Sequence, residues 1–264
     1  MKKLISIFTL LLLLTGCGQI DENEVVFDTV VVDKSVKLCN EENSPVCTIH
    51  LSMEYANEDN GHKAEVINKH INDKLLGQQQ EMAVENAANV FADEYTENYV
   101  KNMLPLYNQD RADSTKRAWY EFHYVITTNT QTGSKGTTVY LATVDFYEGG
   151  AHGTNQLLTL NFESKTGRQL NLSDIFVDGY EQELTRVLLQ ALKEKTGTNS
   201  MAQLREKGFL KSMDMYPTEN FILSDETITF VYNPSEIANY TEGPIELIIP
   251  YSDLKSVIKN SFEY

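Results

Sequence analysis

The chain has 264 residues, with one tryptophan, six prolines and three cysteines, and its 22 basic residues are outnumbered by 38 acidic ones. Each scarcity excludes something. A formal net charge of -16 at pH 7 repels phosphate backbones and anionic lipid surfaces, so a nucleic-acid partner is not expected and a cationic one is favoured. The same acidity also keeps an exposed protein soluble. After the first residues there is no apolar run long enough for a membrane helix, no internal repeat and no low-complexity tract.

Local catalytic signatures are missing too. The absence of HExxH argues against a helix-borne zinc pair, and the absence of GxSxG against a nucleophile elbow. Gly133-Ser134-Lys135-Gly136-Thr137 lacks the spacing of a phosphate loop and lies between two strand patterns rather than before a helix. Neither a metal nor a cofactor is expected, and no catalytic residue is assigned. Paired carboxylates stay open, because 38 acidic side chains offer many pairings that only a fold selects.

The first residues do carry a pattern. Met1 to Cys17 has a basic start (Lys2, Lys3), an apolar run from Leu4 to Leu14, and small residues before Cys17. This is the layout of a secretory signal, and its ending resembles that of bacterial lipoproteins, whose cysteine is diacylated and becomes the new N-terminus. Cys17 is therefore the expected lipid attachment site, with a plain cleaved signal as the alternative. Acyl chains contribute roughly 0.8 kcal/mol per buried methylene, which holds a protein at a membrane without a spanning helix. Gly18 to Glu24 reads as an acidic tether reaching about 25 Å from the bilayer, and removal of Lys2 and Lys3 leaves the mature part near -18. The expected location is a bacterial envelope, on its outer-membrane, periplasmic or surface side. Cys39 and Cys47 flank the turn former Asn43-Ser44-Pro45, so a disulfide across a hairpin mouth is expected in an exported chain. No free thiol would then remain.

The body of the chain alternates strands and helices. Val25 to Val32 is rich in β-branched residues, and Cys47, Ile49, Leu51, Met53 and Tyr55 alternate with polar neighbours, which places His50 on the outer face. A helical stripe of Val66, Ile67, His70, Ile71 and Leu75 follows, with His70 expected in the core. A second helix is predicted from Gln78 to about Met103, stopped by Pro105. Trp119 to Thr128 and the strand from Thr137 form an antiparallel hairpin around Gly133 to Gly136.

The stretch Val139 to Phe162 anchors the rest. Tyr140, Ala142, Val144 and Phe146 share one strand face, Leu158, Leu160 and Phe162 share another, and between them Gly149, Gly150 and Gly153 permit a sharp turn carrying His152. Beyond it come Ser164 to Gly167 as a turn, a strand Arg168 to Leu172, and a helix that Asp178 and Glu181 cap and Gly197 ends. Phe221 to Leu223 pairs with Thr227 to Tyr232, Ile245 to Ile249 adds a strand, and Pro250 opens a closing helix with Leu254, Val257 and Ile258. The expected fold class is α+β, with mainly antiparallel sheets and packed helices. Two α/β subdomains, 18–148 and 149–264, divide near Gly149.

Tyr147-Glu148-Gly149-Gly150-Ala151-His152, Leu172-Ser173-Asp174-Ile175-Phe176 after Thr166-Gly167, and Tyr232 to Tyr240 with Gly243-Pro244 and Ile249-Pro250-Tyr251 make a recognisable set. It resembles the extracellular domain of lysozyme-sensing anti-sigma factors of the RsiV type, also found attached to some polysaccharide deacetylases. The likeness covers residues 140 to 258, and Pro45 to Leu51 with the helices after it resemble the companion N-terminal domain of that family. The resemblance implies binding of a lysozyme-like cationic protein or of a wall glycan. With no spanning helix, no cytoplasmic sigma-binding segment, no deacetylase domain and no nucleotide signature in the sequence, it transfers neither signalling, deacetylation nor ATPase activity. The candidate ligand-binding residues are Tyr147, Glu148, Gly149, Gly150, His152, Tyr232, Tyr240 and Glu242. Two rival readings are an envelope hydrolase using His152 with carboxylates, and a structural component of an envelope complex.

Overall fold

A computed structural model describes residues 24–77 and 81–262. The stretch read as a signal, Cys17 and most of the expected tether lie outside the described residues, as do Gln78 to Gln80. Among the described residues no helix is long and apolar enough to cross a membrane.

Six strands form one sheet in sequence order: β1 (Phe27–Lys37), β2 (Val46–Ala56), β3 (Phe122–Thr132), β4 (Thr137–Tyr147), β5 (Thr154–Glu163) and β6 (Gln169–Leu170). The fold class is the expected one, and the β3–β4 and β4–β5 hairpins are antiparallel. One pair departs from the pattern: β2 and β3 run parallel, Cys47 opposite Phe122 and Leu51 opposite Ile126. The parallel pair needs a long crossover, supplied by α1 (His62–Leu76) and α2 (Val84–Asp110). Both helices cover one face of the sheet, where Leu51, Met53, Ile67, Ile71, Ala87, Ile126, Tyr140 and Phe162 are all buried. His50 lies on the opposite face, hydrogen-bonded to Asp33 at 2.7 Å. His70 is half-buried at 6.2 Å from the Phe162 ring, and burial lowers its pKa.

Pro105 does not end α2, which continues through it to Asp110. Pro105 sits on an exposed stretch of the helix, where water can serve the carbonyl that a proline leaves without its N–H partner. Instead of a loop, the segment before β3 closes in a 3-10 turn, Ser114–Tyr120, whose Asp113 carboxylate accepts from Thr115 N–H.

The disulfide expectation is corrected: Cys39 and Cys47 are both free thiols. The β1–β2 register sets Cys47 opposite Val36, and Leu38 N–H donates to Pro45 O, so the two cysteines are offset along the hairpin rather than facing each other. Cys47 is fully buried beside Leu38, Tyr99, Tyr120 and Phe122, and burial, with the Glu148 charge second, pushes its thiol up to about 12.

The second sheet, β7 (Phe221–Leu223), β8 (Thr227–Tyr232) and β9 (Ile245–Pro250), is antiparallel. It packs with α3 (Leu172–Ile175), α4 (Glu181–Thr196) and α5 (Met201–Glu206) around a separate core. The first core runs through Phe162 and the second begins at Leu170. Residue 149 therefore falls inside the β4–β5 hairpin. Asp178 and Glu181 do not cap α4; the boxed carboxylate is that of Asp174, which accepts from Asn171 N–H at 2.8 Å. Gly197 ends α4 in a left-handed conformation, as expected. In place of a closing helix there are two short 3-10 turns, Tyr251–Asp253 and Asn260–Phe262. The chain between them leaves helical geometry because it pairs with the end of α3: Phe176 bridges Ile258, and Val177 N–H donates to Val257 O at 2.8 Å.

Asparagine side chains join the two sheets. Because β6 is only two residues long, the edge of β5 beyond it has free backbone groups, and amides stand in for a missing strand. Thr159 N–H donates to Asn220 Oδ1 and Leu157 N–H to Asn233 Oδ1, each at 2.8 Å. In return Asn220 Nδ2 donates to Leu157 O, also at 2.8 Å. Asn161, fully buried, donates to Phe221 O at 2.7 Å and accepts from Leu223 N–H at 3.2 Å.

Candidate functional site

The β4–β5 turn stands where the two units meet, and four contacts fix it. Gly149 has φ +86° and lies so close to the chain before β3 that a Cβ there would sit 2.7 Å from Trp119 O. Tyr147 hydroxyl donates back to Gly150 O at 2.9 Å. Tyr95, on α2, donates its hydroxyl to Glu148 Oε1 at 2.7 Å. Tyr240, on the 3-10 turn Tyr240–Glu242 of the second unit, donates to Gly153 O at 2.8 Å. His152 lies nearly parallel over the Tyr240 ring, with centroids 4.8 Å apart and planes 19° apart.

Of the sequence-predicted residues, Tyr147, Glu148, Gly149, Gly150, His152 and Tyr240 are thus brought together, and Glu242 is exposed on the same short turn as Tyr240. Tyr232 is not part of this surface. It is fully buried in β8, its hydroxyl donates to Tyr216 O at 2.5 Å, and its ring meets Tyr216 edge-on. Burial raises its phenol far above the ordinary range. Its strand register, Tyr232 opposite Ile245, points it into the second core.

Several residues at the site have no local sequence signal. Tyr95 reads as one member of a helical stripe, yet it ties α2 to the turn, and its phenol is pushed up by burial first and by the Glu148 bond next. Tyr124 and Cys47 feel the same carboxylate, in each case after burial. Trp119 reads as the start of a strand, but it belongs to the 3-10 turn and is 53% exposed beside Gly149. His123, on the outer face of β3, stacks on Tyr147 at 6.1 Å and hydrogen-bonds Asp145 at 2.9 Å. Asn155 donates to the other Asp145 oxygen at 3.2 Å. These two imidazoles and three phenols make a partly exposed aromatic rim around an acidic turn.

Among the described residues no carboxylate lies within hydrogen-bond reach of the His152 ring, whose neighbour is Tyr240. Among the same residues no three His, Cys, Asp or Glu side chains are placed to hold a metal ion.

Residues 173–252 match a family described as "Protein of unknown function (DUF3298)". The chain is similar over most of its length to the crystal structure of a DUF3298 family member from Bacteroides fragilis NCTC 9343. That protein is 26% identical, with a TM-score of 0.81, over 90% of this chain and 94% of that one. A DUF3298 family protein from Pseudomonas aeruginosa PAO1 shares the fold at 17% identity and a TM-score of 0.62, over 90% of this chain and 96% of that one. No curated protein matches. The family match lies within the second unit and its description carries no activity across; the likeness to the two solved structures extends over both units.

Proposed function

We propose that the protein is a non-enzymatic binding module held at the bacterial envelope through lipid on Cys17, taking as ligand a lysozyme-like cationic protein or a cell-wall glycan. The observation that carries this reading is the β4–β5 turn. It is immobilised by contacts from α2, from the 3-10 turn before β3 and from the second unit, and it still leaves Glu148, His152 and Tyr240 exposed. Rigid, exposed aromatic and acidic groups recognise a partner at low entropic cost. The net charge of -16 would steer a basic protein toward it. A hydrolase using His152 has less support, because that ring is paired with a phenol rather than a carboxylate.

The test is retention of the mature chain on immobilised lysozyme and on insoluble wall glycan, across a salt series. Charge-led capture of lysozyme weakens about tenfold or more between roughly 0.05 and 0.5 M salt, and replacing His152 and Tyr240 with alanine weakens it further. Retention on neither matrix, or release of sugar from the wall by the purified protein, would end the reading. Mass spectrometry of the protein from cells checks the anchor, since an unmodified residue 17 removes it.

A further inference from the structure

Between α2 and the β4–β5 turn runs a groove of about 370 Å³, lined by Tyr95, Asn98, Tyr99, Asn102, Phe122 and Glu148. Asn98 and Asn102 are one helical turn apart, both exposed, and among the described residues neither amide has a protein hydrogen-bond partner. Glu148 commits Oε1 to Tyr95 and keeps Oε2 for something else. The Tyr99 hydroxyl is turned away to donate to Tyr120 O at 2.8 Å, and its ring is buried beneath the groove. Phe122 packs on Tyr99 with centroids 5.1 Å apart.

We propose that this groove is a saccharide subsite, taking one sugar ring of a glycan. The assignment rests on the reading that the turn binds a ligand, and it narrows that ligand's class. The choice follows from donor and acceptor matching. Each carboxamide presents two N–H donors and a carbonyl acceptor, and a sugar hydroxyl both gives and takes a hydrogen bond, so two amides and a free carboxylate oxygen can all be answered by one ring. A lysine or arginine side chain has donors only, so it could answer the Glu148 oxygen and the amide carbonyls but would leave both amide N–H₂ groups to water. The ring available to the C–H face of a sugar is that of Tyr95, half-buried on the groove wall, and the volume lies at the lower end of small-molecule sites. The turn's own role here is positional: Gly149 packed under Trp119 brings Glu148 to the rim of the groove.

The experiment titrates chitotriose, maltotriose and, as the cationic rival, acetyl-arginine methyl ester into the mature chain by calorimetry, and repeats each titration with the double variant Asn98→Ala and Asn102→Ala. Both positions are exposed on α2, and alanine favours helix over asparagine, so circular dichroism should be unchanged. The expected result is binding of at least one oligosaccharide, weakened about tenfold or more in the double variant. No oligosaccharide binding at about 10 mM, an affinity unmoved by the double variant, or binding of the arginine ester alone would overturn the assignment. Wild-type protein that captures lysozyme but neither sugar sinks the groove and leaves the turn standing; protein that captures nothing, wall glycan included, sinks both.

Discussion

Two neighbouring glycines at the site carry different constraints. Gly149 and Gly150 have φ of +86° and +93°, a region costly for residues with a Cβ, but only Gly149 has backbone against it, at 2.7 Å from Trp119 O. Gly150 faces open space. Alanine at 150 should therefore cost about 1 kcal/mol, from conformation alone. Alanine at 149 should cost roughly 2 kcal/mol or more, and weaken ligand capture because Glu148 and the Tyr95 bond shift with it. Urea unfolding of the two variants decides this, and equal losses would mean that the Trp119 contact imposes nothing. The glycines were legible in the sequence as a turn. Their inequivalence was not, since it depends on a carbonyl 30 residues earlier in the chain. Tyr232 shows the same limit: aromatic and next to a turn, it reads as a surface candidate, and only the register of β8 against β9 sends it inward.

At the scale of elements, the stripes of α1 and α4 and the alternation of β2 to β5 could be read directly, because a buried face imposes its period on the residues. Ends were harder. Pro105 marks a stop by rule, but α2 passes through it along a solvated side. The segment after Pro250 has a helical stripe and is diverted by pairing with Phe176. Least legible is the amide seam along β5, since an asparagine beside a proline reads as turn chemistry. Replacing Asn161 with alanine leaves Leu223 N–H without its amide partner in a buried place and takes one of two side-chain donors from Phe221 O, the Thr159 hydroxyl being the other. The expected loss is about 2 to 3 kcal/mol in thermal or urea unfolding. A loss below about 0.5 kcal/mol would show that the sheets hold together without the seam.

For the whole molecule, alkaline pH is the sharpest probe of the buried hydroxyls and the thiol. Cys47 is raised to about 12 and Tyr140 higher still, both chiefly by burial, while in the unfolded chain they ionise near 9 and 10. A raised folded pKa means stability that is complete below the unfolded value and is lost as pH rises through the folded one. Unfolding free energy should accordingly fall from about pH 9 upward, and Cys47→Ala should flatten the first part of that fall; a stability that stays level from pH 9 to 11 would contradict the burial of these groups. Alternating and helical periods, together with the acidic excess, were enough to determine an α+β class and the candidate turn, because burial and charge act through composition and local spacing. What they could not decide is the company each residue keeps. The parallel β2–β3 pair, the cysteine offset and the meeting of Tyr95, Trp119 and Tyr240 around Glu148 to Gly153 all join positions far apart in the chain or set by hairpin register. Such contacts arise when the sheets are laid together, and no local pattern encodes them.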